Sequence, residues 1–111
     1  MNKYSSFEHE IADIGIIEPN AAVSAIFKFI PVIKNNPKYL FAVPSCGCLS
    51  HTWNNDTNTL TVKWSVGSIS QFHQNLGITE LPQEKSISVF IEELGIQKEH
   101  VLFLKLKIKS T

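Results

Sequence analysis

The sequence predicts an all-β fold, an immunoglobulin-like antiparallel β-sandwich of about seven strands. Two observations carry that prediction. Apolar residues recur with period two in run after run, and Asn-, Pro- and Asp-rich turn clusters separate the runs. A third observation sets the scale: 111 residues with 43% apolar content fit one domain with a real hydrophobic core.

The strands follow in chain order. Residues 1–10 precede the first repeating pattern and form an arm or an extra edge strand, and the domain proper spans 11–111. The first strand, 11–17, ends at the turn cluster "EPN". In the second, 22–33, Val23, Ala25, Phe27 and Phe29 face one way and Ser24, Ile26 and Lys28 the other. "KNNP" leads into the third, 39–45. The fourth and fifth, 49–53 and 59–66, flank "NNDTN", a hairpin loop of about five residues. On the fifth, Leu60, Val62, Trp64 and Val66 alternate with Thr61, Lys63 and Ser65. The sixth, 84–92, sets Ile87, Val89 and Ile91 against Ser86, Ser88 and Phe90. The seventh, 100–109, sets Leu102, Leu104, Leu106 and Ile108 against Lys105, Lys107 and Lys109. Such alternation marks sheets with one buried and one wet face. Residues 68–83 are long for a loop and hold a short strand, a helical turn or a functional excursion. "ELGIQKE", 93–99, reads as the turn between the last two strands.

Charge narrows the function. Ten lysines balance ten acidic residues, and arginine is absent. Without arginine's bidentate fork or a net positive charge, nucleic acid is not expected as a partner. No run approaches the roughly 20 apolar residues of a membrane span, and "MNKYSSFEHE" has no apolar signal core. Nothing in that stretch marks export.

"VPSCGCLSHTW", 43–53, concentrates the unusual chemistry. Cys46 and Cys48 share a face of an extended segment, and His51 would be a third zinc ligand, but no fourth is paired with them. The cysteines would also make a redox pair, although a strand end lacks the helix N-terminus that lowers thiol pKa in Cys-x-x-Cys enzymes. Cys48 with His51 as base would be a nucleophile pair without an orienting acid nearby in sequence. The reading favoured over these is structural: small apolar cysteines around Gly47 end the third strand and swing the chain to the opposite sheet. No catalytic residue, metal or cofactor is expected. Trp53 beside a turn, Phe72 and His73 in the 68–83 excursion, and the row Lys105, Lys107 and Lys109 are the candidate interaction residues.

Several segments resemble a known family. Asp13-Ile14-Gly15, Phe27-x-Phe29, Ser45-Cys46-Gly47-Cys48, "LTVKW", "KSISVFIE" and "LFLKLKI" are similar to small bacterial immunoglobulin-like domains with an S-C-G-C signature. These are domains of unknown function, similar to the ASPM–hydin type. The likeness runs over about residues 12–109, with departures at Ala12, "VIKNNPK" and "NDTNT". It implies the sandwich fold. By analogy with phage virion proteins, it also implies a non-enzymatic structural module that decorates or cements a capsid, with capsid or tail subunits as partners and a virion or the host cytoplasm as its location. A redox or metal-binding protein built on Cys46 and Cys48, and a surface adhesin or carbohydrate-binding module using Trp53, are the alternatives.

Overall fold

The structure, a computed structural model, describes residues 5–31 and 37–109, with the Phe72 side chain left out. Eight strands and one short helix follow in the order β1 (Ser6–Phe7), β2 (Ile11–Ile17), β3 (Ala22–Ile30), β4 (Lys38–Pro44), β5 (Leu49–Asn54), β6 (Thr59–Ser65), α1 (Gln71–Asn75), β7 (Glu80–Glu93) and β8 (Ile96–Lys109). They form two four-stranded sheets, β1-β3-β6-β5 and β2-β8-β7-β4. The all-β sandwich is therefore as expected, with one strand more than the sequence suggests.

Alternation determines which side chains meet. Phe27, Phe29, Leu60, Val62 and Trp64 from the first sheet face Ile87, Val89, Ile91, Leu102, Leu104, Leu106 and Ile108 from the second, and all are buried. Each such side chain removed from water contributes about 1.5–3 kcal/mol before entropy is charged. Val66 and Ile69 extend this core past the end of β6.

Three local features depart from the expected pattern. First, β2 runs parallel to β8, so the second sheet is mixed rather than antiparallel. Parallel neighbours need a long connection. Here nearly the whole chain lies between the two, because β2 leads into the opposite sheet rather than into its own. Second, a register shift between Asp13 and Gly15 turns β2 out of strict alternation. Gly15 takes a φ of 94°, and its N–H donates to the Asp13 Oδ1 at 3.1 Å. Ala12 and Ile14 therefore pack inward before the bulge and Ile17 after it. Third, β3 stops at Ile30, before the strand end expected at 33; Pro31 has no N–H to continue the ladder. The "KNNP" turn begins outside the described residues.

The last hairpin is longer than its sequence pattern. β7 and β8 are 14 residues each, paired from Glu80↔Lys109 to Glu93↔Ile96. The predicted turn 93–99 shrinks to Leu94 and Gly95, at φ 52° and 78°. Two consecutive left-handed residues make the primed turn that matches the twist of a tight hairpin. The 68–83 stretch resolves into α1 followed by the start of β7. Ser70 caps α1: its carbonyl accepts from the Gln74 N–H at 3.0 Å and its hydroxyl from the His73 N–H at 3.3 Å.

Both lateral sides of the sandwich are crossed by strands that change sheets. On one side β1 pairs with β3, Glu8 N–H donates to Lys28 O at 2.7 Å, and by Glu10 the chain accepts from the Phe103 N–H of β8 at 2.8 Å. On the other side the chain passes from β4 to β5 through residues 45–48. Switching strands cover sheet edges that would otherwise offer free backbone groups to other chains.

The described part of the N-terminal segment, residues 5–10, packs onto the sandwich. Phe7 is 4% exposed and meets Phe29 edge-on at 5.2 Å, and both rings meet His100, at 5.6 and 5.2 Å. His100 occupies the inward position next along β8 from Leu102. Burial pushes its imidazole below its ordinary value of 6.5; Lys98 pushes the same way, and Glu93 and Glu10 oppose in part. Because the folded state takes up this proton less readily than the unfolded chain, stability is greatest above pH 6.5 and declines as pH falls through 6.5 toward the lower folded value. Denaturant unfolding between about pH 7.5 and about pH 5 is expected to show this decline, with a shallower one in His100→Leu. Equal slopes in both proteins would refute the assignment to His100.

Candidate functional site

The Cys-Gly-Cys corner is built where β4 leaves the second sheet and β5 enters the first. Ser45 N–H donates to Ser86 O at 2.8 Å, and the Ser45 hydroxyl accepts from the Ser86 N–H at 3.0 Å, which ties the start of the corner to β7. Cys48 O accepts from Ser65 N–H at 2.9 Å, which ties its end to β6. Cys46 and Cys48 are joined in a disulfide across Gly47, with their Cα atoms 5.3 Å apart. Both pack against the core from partly buried positions.

This geometry bears on each reading of the cysteines. The corner does carry the chain between sheets, as the structural reading expects. In the disulfide neither sulfur is a thiolate, so Cys46 and Cys48 are not metal ligands in this state, and Cys48 is not a nucleophile. Among the described residues, no group of three or more His, Cys, Asp or Glu side chains is placed to hold a metal ion. Gly47 also departs from expectation. Its φ lies outside the left-handed region, and a Cβ built on it meets nothing within 4 Å. The bend itself does not demand a glycine.

His51 turns inward on β5, opposite Val62, and its Nδ1 is buried without a hydrogen-bond partner among the described residues. Two positions on, Trp53 stacks on Tyr39 of β4 with centroids 5.1 Å apart and planes within 9°. Its indole N–H donates to Asn55 Oδ1 at 2.7 Å. The stack spans the two sheets beside the crossing strand, and burial there pushes the Tyr39 phenol above its ordinary range. Trp53 is thus a half-buried closure of the sandwich edge as well as a contact candidate.

The other sequence candidates are scattered. His73 sits on α1 with its Nδ1 2.6 Å from the Ser70 hydroxyl. Phe72 is on the same helix, and its side chain lies outside the described residues. Lys105, Lys107 and Lys109 line the outer face of β8. Lys105 pairs with Glu84 at 3.9 Å and Lys109 with Glu18 at 3.3 Å. These are exposed pairs, of the kind that contributes little to stability. Asp13, Pro82, Glu84, Lys105 and Lys107 border a shallow cleft of about 350 Å³.

The sequence reading missed what lies beside the lysines. On the same outer face, β8 continues with Phe103 and Val101 in place of lysine. Ile11 is opposite Phe103, Val43 is in line with Val101 across Ser88, and Phe41 stacks on Phe90 at 4.5 Å. Ile11 is 53% exposed, Phe41 49%, Val43 52% and Val101 39%. Six apolar side chains from all four strands therefore surround Ser86 and Ser88 on one open face. Signals existed in "VLFLK" and "YLFAV", but which strands lie side by side is set by tertiary pairing.

No family model matches the chain, and no curated protein matches it. Among solved structures, one described as the structure of Vibrio cholerae VesB protease is similar, with a TM-score of 0.67 and 14% identity over 94% of this chain. This chain covers 32% of that one. At that identity the likeness is one of fold.

Proposed function

We propose that this protein is a non-enzymatic structural and interaction module, a small decoration or cement-like subunit of a bacteriophage particle, that docks on a neighbouring protein subunit through the outer face of β2-β8-β7-β4. The observation that carries the reading is the exposed apolar surface of Ile11, Phe41, Val43 and Val101 with Phe90 and Phe103. A contiguous apolar area on a polar-rimmed face is the usual mark of a protein interface. Its rim supplies orientation. Asp13, Lys105 and Glu84 lie in one row across the sheet, followed by Ile16, Lys107 and Pro82 in the next. Alternating signs favour a partner with the opposite alternation and disfavour a shifted register. The virion setting rests on the resemblance to S-C-G-C immunoglobulin-like domains and on phage analogues of that fold.

The test is co-sedimentation with phage particles assembled in cells that make the protein. The double variant Phe41→Glu with Val101→Glu places charge at two exposed apolar positions of the face, on β4 and β8, while leaving every inward side chain in place. Particle-bound protein is expected to drop by more than about tenfold, with the circular-dichroism spectrum unchanged. Unchanged association, or particles without the protein, overturns the reading. If the isolated wild type instead forms a dimer that the double variant abolishes, the face belongs to a second copy and decoration is refuted.

A further inference from the structure

We propose that Cys46 and Cys48 are an exchangeable disulfide–dithiol pair that accepts two electrons from a dithiol reductant while the sandwich stays folded. The inference is independent of the docking face.

The disulfide adds little to the fold. It closes a loop of a single intervening residue, and the loop-entropy contribution of a cross-link is smallest for the shortest loops. The ends of the corner are secured without it, by Ser45 on Ser86 and by Cys48 on Ser65. A bond that spans so little chain between two anchored ends can open without freeing a strand.

Access and charge favour the exchange. Gly47 is exposed and a Cβ built on it would meet nothing within 4 Å, so no side chain packs over the outside of the turn, and both cysteines are themselves only partly buried. Cys48 also borders a cleft of about 220 Å³ whose wall includes Trp64, Ser68, Gln83 and Lys85. Lys85 is half-buried and is the one cationic residue among the described residues that line the cleft with Cys48. A nearby cation stabilises a thiolate, and the sulfur with the more stable thiolate leaves faster. Cys48 is therefore the leaving sulfur and Cys46 the sulfur attacked.

In the first step the reductant's thiolate bonds to Cys46 Sγ, the Cys46–Cys48 bond breaks, and its electron pair departs on Cys48 Sγ. In the second, the reductant's other thiolate attacks its own sulfur in the mixed disulfide and expels Cys46. The reductant leaves as a disulfide. The protein gains two electrons, and two protons follow from solvent. Run backwards, the same steps oxidise a dithiol partner.

Native protein treated with dithiothreitol near neutral pH, quenched with iodoacetamide and weighed intact, reads the exchange. Expected results are labelling of both cysteines in the absence of denaturant, an unchanged β-sheet circular-dichroism spectrum, and re-formation of the bond on adding oxidised dithiothreitol. Brief exposure to the monothiol 2-mercaptoethanol with acid quench is expected to give an adduct mapped to Cys46. Lys85→Gln is expected to slow reduction about threefold, with unfolding behaviour retained. Labelling only in denaturant, loss of sheet signal on reduction, an adduct chiefly on Cys48, or an unaltered rate in Lys85→Gln would each overturn the corresponding part: exchange, independence from the fold, direction and charge assistance.

Discussion

Phe29→Ala is expected to lower unfolding free energy by about 3–5 kcal/mol, enough to leave a domain of this size marginal. Phe29 is 1% exposed and its ring is an edge-on neighbour of both Phe7 and His100. Truncation removes the transfer energy of a large ring and leaves a cavity between the sheets. Phe7 holds β1 to β3 through one of the two pairs formed among the described residues, Ser6↔Ile30 and Phe7↔Phe29. It loses its main ring contact, so the N-terminal strand should be the first to fray. Equilibrium urea unfolding gives the magnitude, and hydrogen exchange at Glu8 N–H, bonded to Lys28 O, reports the strand. A loss below about 1 kcal/mol, or unaltered protection at Glu8, would mean that the three rings are not a packed unit.

The second large effect lies at the tip of the β7–β8 hairpin and has opposite signs at adjacent positions. Gly95→Val is expected to cost about 2 kcal/mol, because a φ of 78° pushes a β-branched side chain into its own backbone. Leu94→Asn is expected to gain up to about 1 kcal/mol. Leu94 already bears a φ of 52°, is 72% exposed and so loses little burial, and asparagine tolerates this conformation better. Thermal unfolding of the two single variants decides the matter. If Leu94→Asn proves neutral or destabilising, then the leucine makes contacts that outweigh its backbone cost.

The pairing of effects shows how the turn was legible in part. "LG" between alternating runs marks a reversal, yet the charged "QKEH" that follows reads as loop rather than strand. It becomes strand because β7 supplies partners as far as Glu93↔Ile96, and pairing overrides weak local preference. His100 was hidden for the same reason. Counting back by two from Ile108 through Leu102 reaches it, but only the arrival of Phe7 and Phe29 from another sheet makes that position an aromatic contact.

By itself the sequence determined the sandwich, the inward faces of β3, β6, β7 and β8, and a sheet-changing bend at Cys46-Gly47-Cys48. Period two is a local property of the chain, and burial of one face follows from it. Tertiary structure alone decided the parallel pairing of β2 with β8, the sulfur–sulfur bond with Lys85 on a cleft beside it, and the apolar outer face assembled from four strands. Each of these depends on which distant segments become neighbours. Alternation says which way a side chain points; only the closed sheets say what it meets there.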